Sequence, residues 1–527
     1  GIPFFSDSSN SSMYTHDVSG TDDTAQYNTA FGFNALDAIT TGDKHVAIGY
    51  NAGTAVTEAV GNVLIGEAAG AALTTGGSNT LIGRLAGDAF DTEANNIAIG
   101  VAALGGSVAG GEYNVAVGNY TLDALTSGDN NTAVGYEAGS ALTSGANNVL
   151  LGYQSGAALT GSSNTFLGYK AGVASTSGLN NTVVGVEANG VGVMTGNSNV
   201  IMGADSAKNA TSLASCVIIG ASAVQTGVAT GANNVYIGAN AAKANTSGDG
   251  NVAIGKDAFI SNTTGASNIA IGIDALDGCD AENNNLAIGQ DALGGSVAGG
   301  EYNTAVGNFT LDALTSGDNN VVIGYQAGSA LTASNSNVFV GYQAGLGAGS
   351  GCHLNTTMGY KAGEELSTGD NNLLLGASAG DPQSPGGQID TENNQIVLGN
   401  HDISNAHIQV DWTVASDKRD KTDVEAVAIG LDFVNKLEPV TYRWDKRADY
   451  SGDLSVTPTG EHKADCLDIG FLAQDVVELE KQFGFDVDNK TNLTTDKSKY
   501  GTHYGIQYSK FVPILTKAVQ ELSATVT

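Results

Sequence analysis

The chain has 527 residues, with 54 acidic against 21 basic side chains, a net charge of −33, 73 glycines and only 6 prolines. The excess charge lies ahead of Ser416, where 35 acidic residues face 7 basic ones; such a surface favours solubility and repels nucleic acid and anionic lipid. No apolar run approaches the roughly twenty residues that span a bilayer, no calcium-loop pattern is present, and Cys216, Cys279, Cys352 and Cys466 are isolated, so no membrane insertion, metal, cofactor or disulfide scaffold is expected.

No secretory signal pattern opens at Gly1, and residues 1–27, polar around Ser6 to Ser12, read as a flexible lead-in. The isolated cysteines suit folding in a reducing cytoplasm. From residue 28 to residue 399 a unit of about seventeen residues recurs, and a fixed period means coils stacked on their neighbours. One copy, residues 131–148, runs Asn-Thr-Ala-Val-Gly, then Tyr-Glu-Ala-Gly-Ser-Ala-Leu, then Thr-Ser-Gly-Ala-Asn.

Each unit opens on a short strand closed by Gly, as at Gly49, Gly66, Gly135 and Gly255. Four residues before that Gly stands Asn, as at Asn62, Asn79, Asn131, Asn251 and Asn320, with His45 and Cys216 as departures. A carboxamide held at one place in every coil can form a ladder of stacked hydrogen bonds. The residue before the Gly, Ile48, Ile65, Ile82, Val134 or Ile254, is expected to point inward, and a second inward position falls at Leu73, Leu125, Leu142, Leu314 and Leu331. The Ser-Gly-Asp-Asn runs at 127–130 and 316–319 supply turns.

Such a core is thin. Burying one Val or Leu contributes roughly 1.5–3 kcal/mol, whereas fixing the backbone of one residue costs roughly 1–2 kcal/mol. A backbone ladder and partner chains are therefore expected to make up the difference. Residues 103–125 also return almost verbatim at 292–314, and block copying suits a shaft better than a catalytic pocket.

The Asn-x-Ala-Ile-Gly units resemble the head repeats of trimeric autotransporter adhesins and the repeat shafts of phage tail fibres, which implies three chains in a β-roll or β-helical rod. The period here is a few residues longer than the usual adhesin-head repeat. Coils of one chain are expected to stack on each other.

Residues 400–415 read as a strand-rich adaptor carrying Ile403, Ile408, Val410, Trp412 and Val414. His401 and His407 with Asp402 and Asp411 can be drawn as a metal site, but polar loop residues are the preferred reading. Composition changes at Ser416 to charged residues and helical periodicity. Thr422 to Glu425 forms a capping-box pattern ahead of apolar Val424, Ala428, Leu431, Val434 and Leu437, ended by Pro439. Residues 440–444 and 469–472 read as strands and 473–481 as a helix. Tyr508, Val512, Leu515, Val519, Leu522 and Val526 alternate steps of four and three, the seam of a coiled coil or the apolar stripe of a packed helix.

Residues 416–527 closely resemble the intramolecular chaperone domain of phage endosialidases and tail fibres, a self-cleaving peptidase family. The resemblance rests on Ser-Asp-Lys-Arg-Asp-Lys at 416–421, Leu-Glu-Pro-Val-Thr-Tyr at 437–442 with Trp444, Gly-Phe-Leu-Ala-Gln-Asp-Val at 470–476 and Tyr-Ser-Lys-Phe-Val-Pro at 508–513. It implies a domain that trimerises, guides folding of the β-rich fibre ahead of it, and is released by cleavage between Ala415 and Ser416. Ser416 would be the nucleophile and Lys421 the general base, desolvated by burial in the trimer or discharged by Lys418 and Arg419, with Asp417 a candidate to orient the pair.

The fold class expected is thus mainly β: a trimeric β-roll or β-solenoid rod over 28–399, with a C-terminal α+β chaperone domain ending in a coiled-coil-like helix. The function implied is a homotrimeric virion tail fibre, assembled in the host cytoplasm with other tail proteins, that contacts a host-surface glycan or protein through residues 381–394 and 401–412. A bacterial surface adhesin would need a membrane β-barrel anchor, which 416–527 lacks. A glycan-cleaving tailspike would need paired carboxylates in a cleft, and Glu112 with Asp123 recur by copying as Glu301 with Asp312.

Overall fold

The computed structural model describes residues 5–7, 11–15, 24–106, 111–295, 299–409, 412–450 and 453–526. The chain divides into two units, Gly1–Phe309 with Leu314–Ser316, and Thr310–Ala313 with Gly317–Thr527. In the first, three-residue strands recur from Ser12–Tyr14 and Thr29–Phe31 to Leu286–Ile288 and Thr304–Val306, each paired in parallel with the next. In the second, Val321–Ile323, Val338–Val340, Thr356–Met358, Leu373–Leu375 and Ile396–Leu398 do the same. Both series are parallel β-solenoid in which a chain stacks its own coils.

Stacked coils begin earlier than Asn28. Ser12–Tyr14 pairs with Thr29–Phe31, Tyr14 is buried, and Ser12 Oγ accepts from the Asn28 amide at 3.0 Å, as an asparagine oxygen does in later coils.

The direction of the strand side chains differs from the expectation. The middle residue points in, so Ala47, Leu64, Leu81, Ala133 and Ala253 are buried, whereas Ile48 and Val134 are each 39 % exposed. Successive strand side chains alternate faces, so the middle residue enters the interior whatever its size, from Ala133 to Phe166 and Tyr236, while the two flanking ones face outward. Leu73, Leu125, Leu142, Leu314 and Leu331 are buried. Outside, tyrosines that follow the closing glycine stack from coil to coil, Tyr136 on Tyr153 and Tyr153 on Tyr169 with ring centres 5.4 Å apart.

The glycine after the strand is a steric necessity. At Gly135 φ is +138°, and a Cβ there would lie 2.3 Å from the Gly152 carbonyl oxygen of the next coil. The glycines thus form a column of backbone packed on backbone, which any side chain would wedge apart.

Beside them runs the asparagine column, buried throughout. Asn79 donates its amide to Asn62 Oδ1 at 2.8 Å, and Asn62 Nδ2 reaches the Gly76 carbonyl at 2.9 Å. Asn251 takes the Asn234 oxygen and the Gly265 carbonyl, both at 2.8 Å, and Asn320 donates to the Ser334 carbonyl at 2.8 Å. The departures preserve this pattern. His45 Nδ1 accepts from the Asn62 amide at 3.2 Å and Nε2 donates to the Ala59 carbonyl at 2.8 Å, so a neutral imidazole reproduces the carboxamide, and burial pushes its pKa down. Cys216 donates Sγ–H to the Gly231 carbonyl at 3.4 Å, and Gln395 takes the position in the last coil, donating its amide to Asn372 Oδ1 at 2.9 Å.

Among the described residues of 400–415 there is no strand, and Ile403, Ile408, Trp412 and Val414 are exposed. Val410 and Asp411 lie outside the described residues. The Gly399 amide still bonds to the Leu375 carbonyl, but beyond it no neighbouring coil offers a ladder, and an apolar run without a partner strand does not hold a β conformation.

Beyond Ser416 a small α+β domain forms. Val440–Tyr442 pairs antiparallel with Asp468–Gly470, and Thr495–Lys497 with Tyr504–Ile506. Helices α1 (Leu431–Val434), α2 (Ala473–Gln482) and α3 (Phe511–Val526) enclose a core of Ile429, Phe433, Val476, Leu479, Phe511 and Ile514. The helix expected from Thr422 is shortened to α1. Residues 416–428 are exposed in the single chain, and the first helical amide, that of Leu431, is capped at 2.8 Å by the Glu521 carboxylate from α3. Without a core beneath Val424, amphipathic spacing alone does not hold a helix there.

Helix α3 has two apolar faces. Phe511, Ile514 and Ala518 are buried in the domain, while the seam of Tyr508, Val512, Leu515, Val519 and Leu522 stands exposed. Pro513 sits in the first turn, where its missing N–H costs little.

Candidate functional site

The hexapeptide 416–421 forms one tight turn. Lys418–Asp420 is a single 3-10 turn whose N-cap is Asp417, with the Asp417 carboxylate accepting from the Arg419 amide at 2.9 Å. This turn folds the chain back so that Lys421 Nζ donates to Ser416 Oγ at 2.5 Å. The spacing of five residues is thereby explained: a tight turn between two extended residues returns the lysine onto the serine.

Asp417 does not join this pair. Its carboxylate faces Arg419, with Oδ2 at 2.6 Å from Nη2 and Oδ1 at 3.1 Å from Nε, and the guanidinium holds it below the usual carboxylate range. The two charges satisfy one another. Ala415, Ser416 and Lys421 are all exposed in the single chain.

The other drawn constellations separate. His401 Nε2 lies 3.3 Å from Asp402 Oδ1, and Asp449, not His407, completes a group whose ligand atoms fall within 4.8 Å of one another. The Lys446 ammonium bonds to the His401 carbonyl beside it. Glu301 accepts from Asn283 Nδ2 at 2.8 Å, a coil-to-coil contact and not a cleft acid.

The motif residues of the domain meet one another. Tyr508 Oη accepts from the Phe471 amide at 3.1 Å, and a Cβ on Gly470 would come within 2.3 Å of that hydroxyl, which explains the glycine. Trp444 Nε1 donates to Asp468 Oδ2 at 3.2 Å across the strand pair. Sequence reading passed over Glu480, which is buried in α2 and accepts from the Thr494 amide at 2.6 Å, the Thr494 hydroxyl at 2.8 Å and the Thr495 hydroxyl at 2.5 Å. The signal was an acid on the apolar face of an amphipathic helix, since a buried carboxylate requires donors.

All four cysteines are free; Cys216, Cys279 and Cys352 are buried, and Cys466 is exposed. Burial pushes the Cys352 thiol up to about 12 and raises Cys216 and Cys279 as well. Only the thiolate is nucleophilic, so a maleimide at neutral pH is expected to add one label per folded chain, at Cys466, and three more after denaturation. Rapid labelling of a solenoid cysteine in the folded protein would contradict the buried placement.

The described residues form a parallel β-solenoid followed by a small α+β domain. The profile of the chaperone-of-endosialidase family matches residues 416–485, beginning at Ser416 itself. That segment is thus similar to the chaperone domain of endosialidases, and the solenoid precedes it in the chain. No curated protein matches the chain.

Proposed function

We propose that the chain is the subunit of a homotrimeric virion tail fibre whose chaperone domain assembles three solenoids and then cuts itself away before Ser416. The observation that carries this reading is the Lys421 Nζ to Ser416 Oγ contact of 2.5 Å at the first residue of the matched family segment. Trimer formation is supported by the open seam of α3 and by the apolar outer columns of the strands, such as Val46 with Ile48 and Ile97 with Ile99. Three chains packed along these columns remove them from water. Host-receptor contact and attachment to other tail proteins complete the reading, with the fibre built in the host cytoplasm.

The chemistry follows from the pair. As Ser416 Oγ attacks the Ala415 carbonyl carbon, Lys421 takes the hydroxyl proton and passes it to the Ser416 nitrogen. The Ala415–Ser416 C–N bond breaks and a C–Oγ ester forms; water then hydrolyses the ester, leaving a carboxylate on Ala415 and a free amine on Ser416. A lysine in water is protonated and cannot begin this step. Because the turn is exposed in the single chain, the water must be displaced by neighbouring subunits, which makes assembly the switch.

The mass of the purified chain, native and denatured, tests the reading. The native mass is expected to be that of a trimer, and the denatured chains are expected to be fragments 1–415 and 416–527. A stable folded monomer at micromolar concentration would overturn it.

A further inference from the structure

The longest step in the repeat is from Gly376 to Gly399, and the extra residues form a built loop. Ser384, fully buried, donates from Oγ to the Asp381 carbonyl at 2.9 Å and accepts from the Gly380 amide at 3.2 Å, while Ile389 plugs the coil beneath. At its end the Asp390 carbonyl accepts from the amides of Ser367, Thr368 and Gly369 of the preceding coil, at 2.8, 3.1 and 3.2 Å. The Asp390 carboxylate is therefore placed only once this coil has closed.

That carboxylate is gripped by the chaperone domain. Lys499 Nζ lies 2.8 Å from Asp390 Oδ1 and 3.6 Å from Glu392 Oε1, it also donates to the Thr391 hydroxyl, and Tyr500 Oη donates to Asp390 Oδ2. Burial alone would raise the Asp390 pKa, but these donors hold it well below the usual carboxylate range. Lys499 and Tyr500 occupy the turn between Thr495–Lys497 and Tyr504–Ile506, and that hairpin is bolted to α2 by the Glu480 bonds to Thr494 and Thr495. Gly387 fits against the same turn, where a Cβ would come within 3.2 Å of both His503 and Ser498. Lys446 on the His401 carbonyl adds a second attachment.

The contacts of Lys499 and Tyr500 with residues 390–392, of Gly387 with the hairpin turn, and of Lys446 with His401 all join residues on opposite sides of the 415–416 bond. We propose that the loop 381–395 and the hairpin turn 498–503 form a non-covalent latch that keeps the chaperone domain seated on the last coil after the backbone is cut, so that cleavage and release are separate steps. The proposal rests on the cleavage reading above. It makes Asp390 the residue through which the domain registers a finished coil. It also means that the loop expected to face a receptor is covered until the domain leaves.

The contacts are ionic and lie near the surface, so salt is the natural release condition: between about 0.1 M and about 1 M the screening length falls from about 10 Å to about 3 Å. The test uses the full chain carrying Ser416→Ala and a sequence-specific protease site in the exposed stretch 404–409, cut by added protease, beside the self-cut parent. Gel filtration of the cut protein is expected to show both fragments together at low salt and apart at high salt. Lys499→Ala with Tyr500→Phe is expected to speed dissociation about tenfold at low salt, whereas Lys499→Arg retains the complex; the uncut variants serve to show that the trimer still forms. Immediate separation of the parent fragments at low salt, or a double variant that holds as firmly as the parent, would overturn the latch. A parent that never cuts itself, while the protease-cut chain stays together, would instead remove the cleavage reading and leave the latch standing.

Discussion

Ser416→Ala is expected to yield a single full-length chain, still assembled, where the parent yields fragments 1–415 and 416–527. The hydroxyl removed is the atom that forms the ester, so no slower version of the same route remains. Lys421→Ala is expected to act similarly, because loss of a positioned base alone slows a proton-transfer step by roughly a hundred- to ten-thousandfold. Lys421→Arg is expected to fail too, since a guanidinium does not give up its proton in a protein. Asp417→Asn is the informative contrast: its carboxylate is bound to Arg419 and not to the pair, so cleavage is expected to continue at near the parent rate. Intact-mass spectrometry over time reads all four. Parent trimers that stay whole for days at neutral pH would show the serine-lysine assignment to be wrong and leave the domain as an oligomerisation cap.

Asn131→Ala is expected to open the solenoid locally at the coil it serves. The Asn131 carboxamide donates to Asn114 Oδ1 and to the Gly145 carbonyl, both at 3.0 Å, and accepts from the Asn148 amide and Asn148 Nδ2, both at 3.0 Å. Alanine leaves the buried Asn148 N–H and the Gly145 carbonyl without this partner, at about 1–3 kcal/mol each, so the loss is about 2–6 kcal/mol. Thr132→Ala, one residue on and facing outward, is expected to stay within about 0.5 kcal/mol. Because a solenoid coil touches only its neighbours, hydrogen exchange should rise around residues 131–148 and stay unchanged several coils away. Uniform loss of protection along the chain, or no change at Asn148, would count against the ladder as a load on each coil separately.

The difference between the legible and the illegible parts of this chain is one of range. The period, the asparagine column with its turns, and the glycine column were readable because every coil meets the same surroundings, so a local requirement is written again in each unit. The Gly at the strand end is demanded by a backbone approach of 2.3 Å to the next coil, and that demand does not depend on any distant residue. The Ser416–Lys421 pair was named only through the resemblance of the hexapeptide to a known family, and the structure supplies the short turn that brings the two side chains together. The inward strand residue was not readable, because three residues are too few to show an alternation, and only the path of the coil decides that Ala133 and not Val134 enters the interior. Helix α1 starts at Leu431 and not near Thr422 because its cap, Glu521, is 90 residues away. The docking of Asp390 on Lys499 and Tyr500 likewise joins segments about 110 residues apart. Sequence by itself determined the repeat and its two columns, where a residue's partners recur in every coil; the tertiary structure alone decided which faces are buried and which segments meet, because those choices depend on packing that no short window of sequence contains.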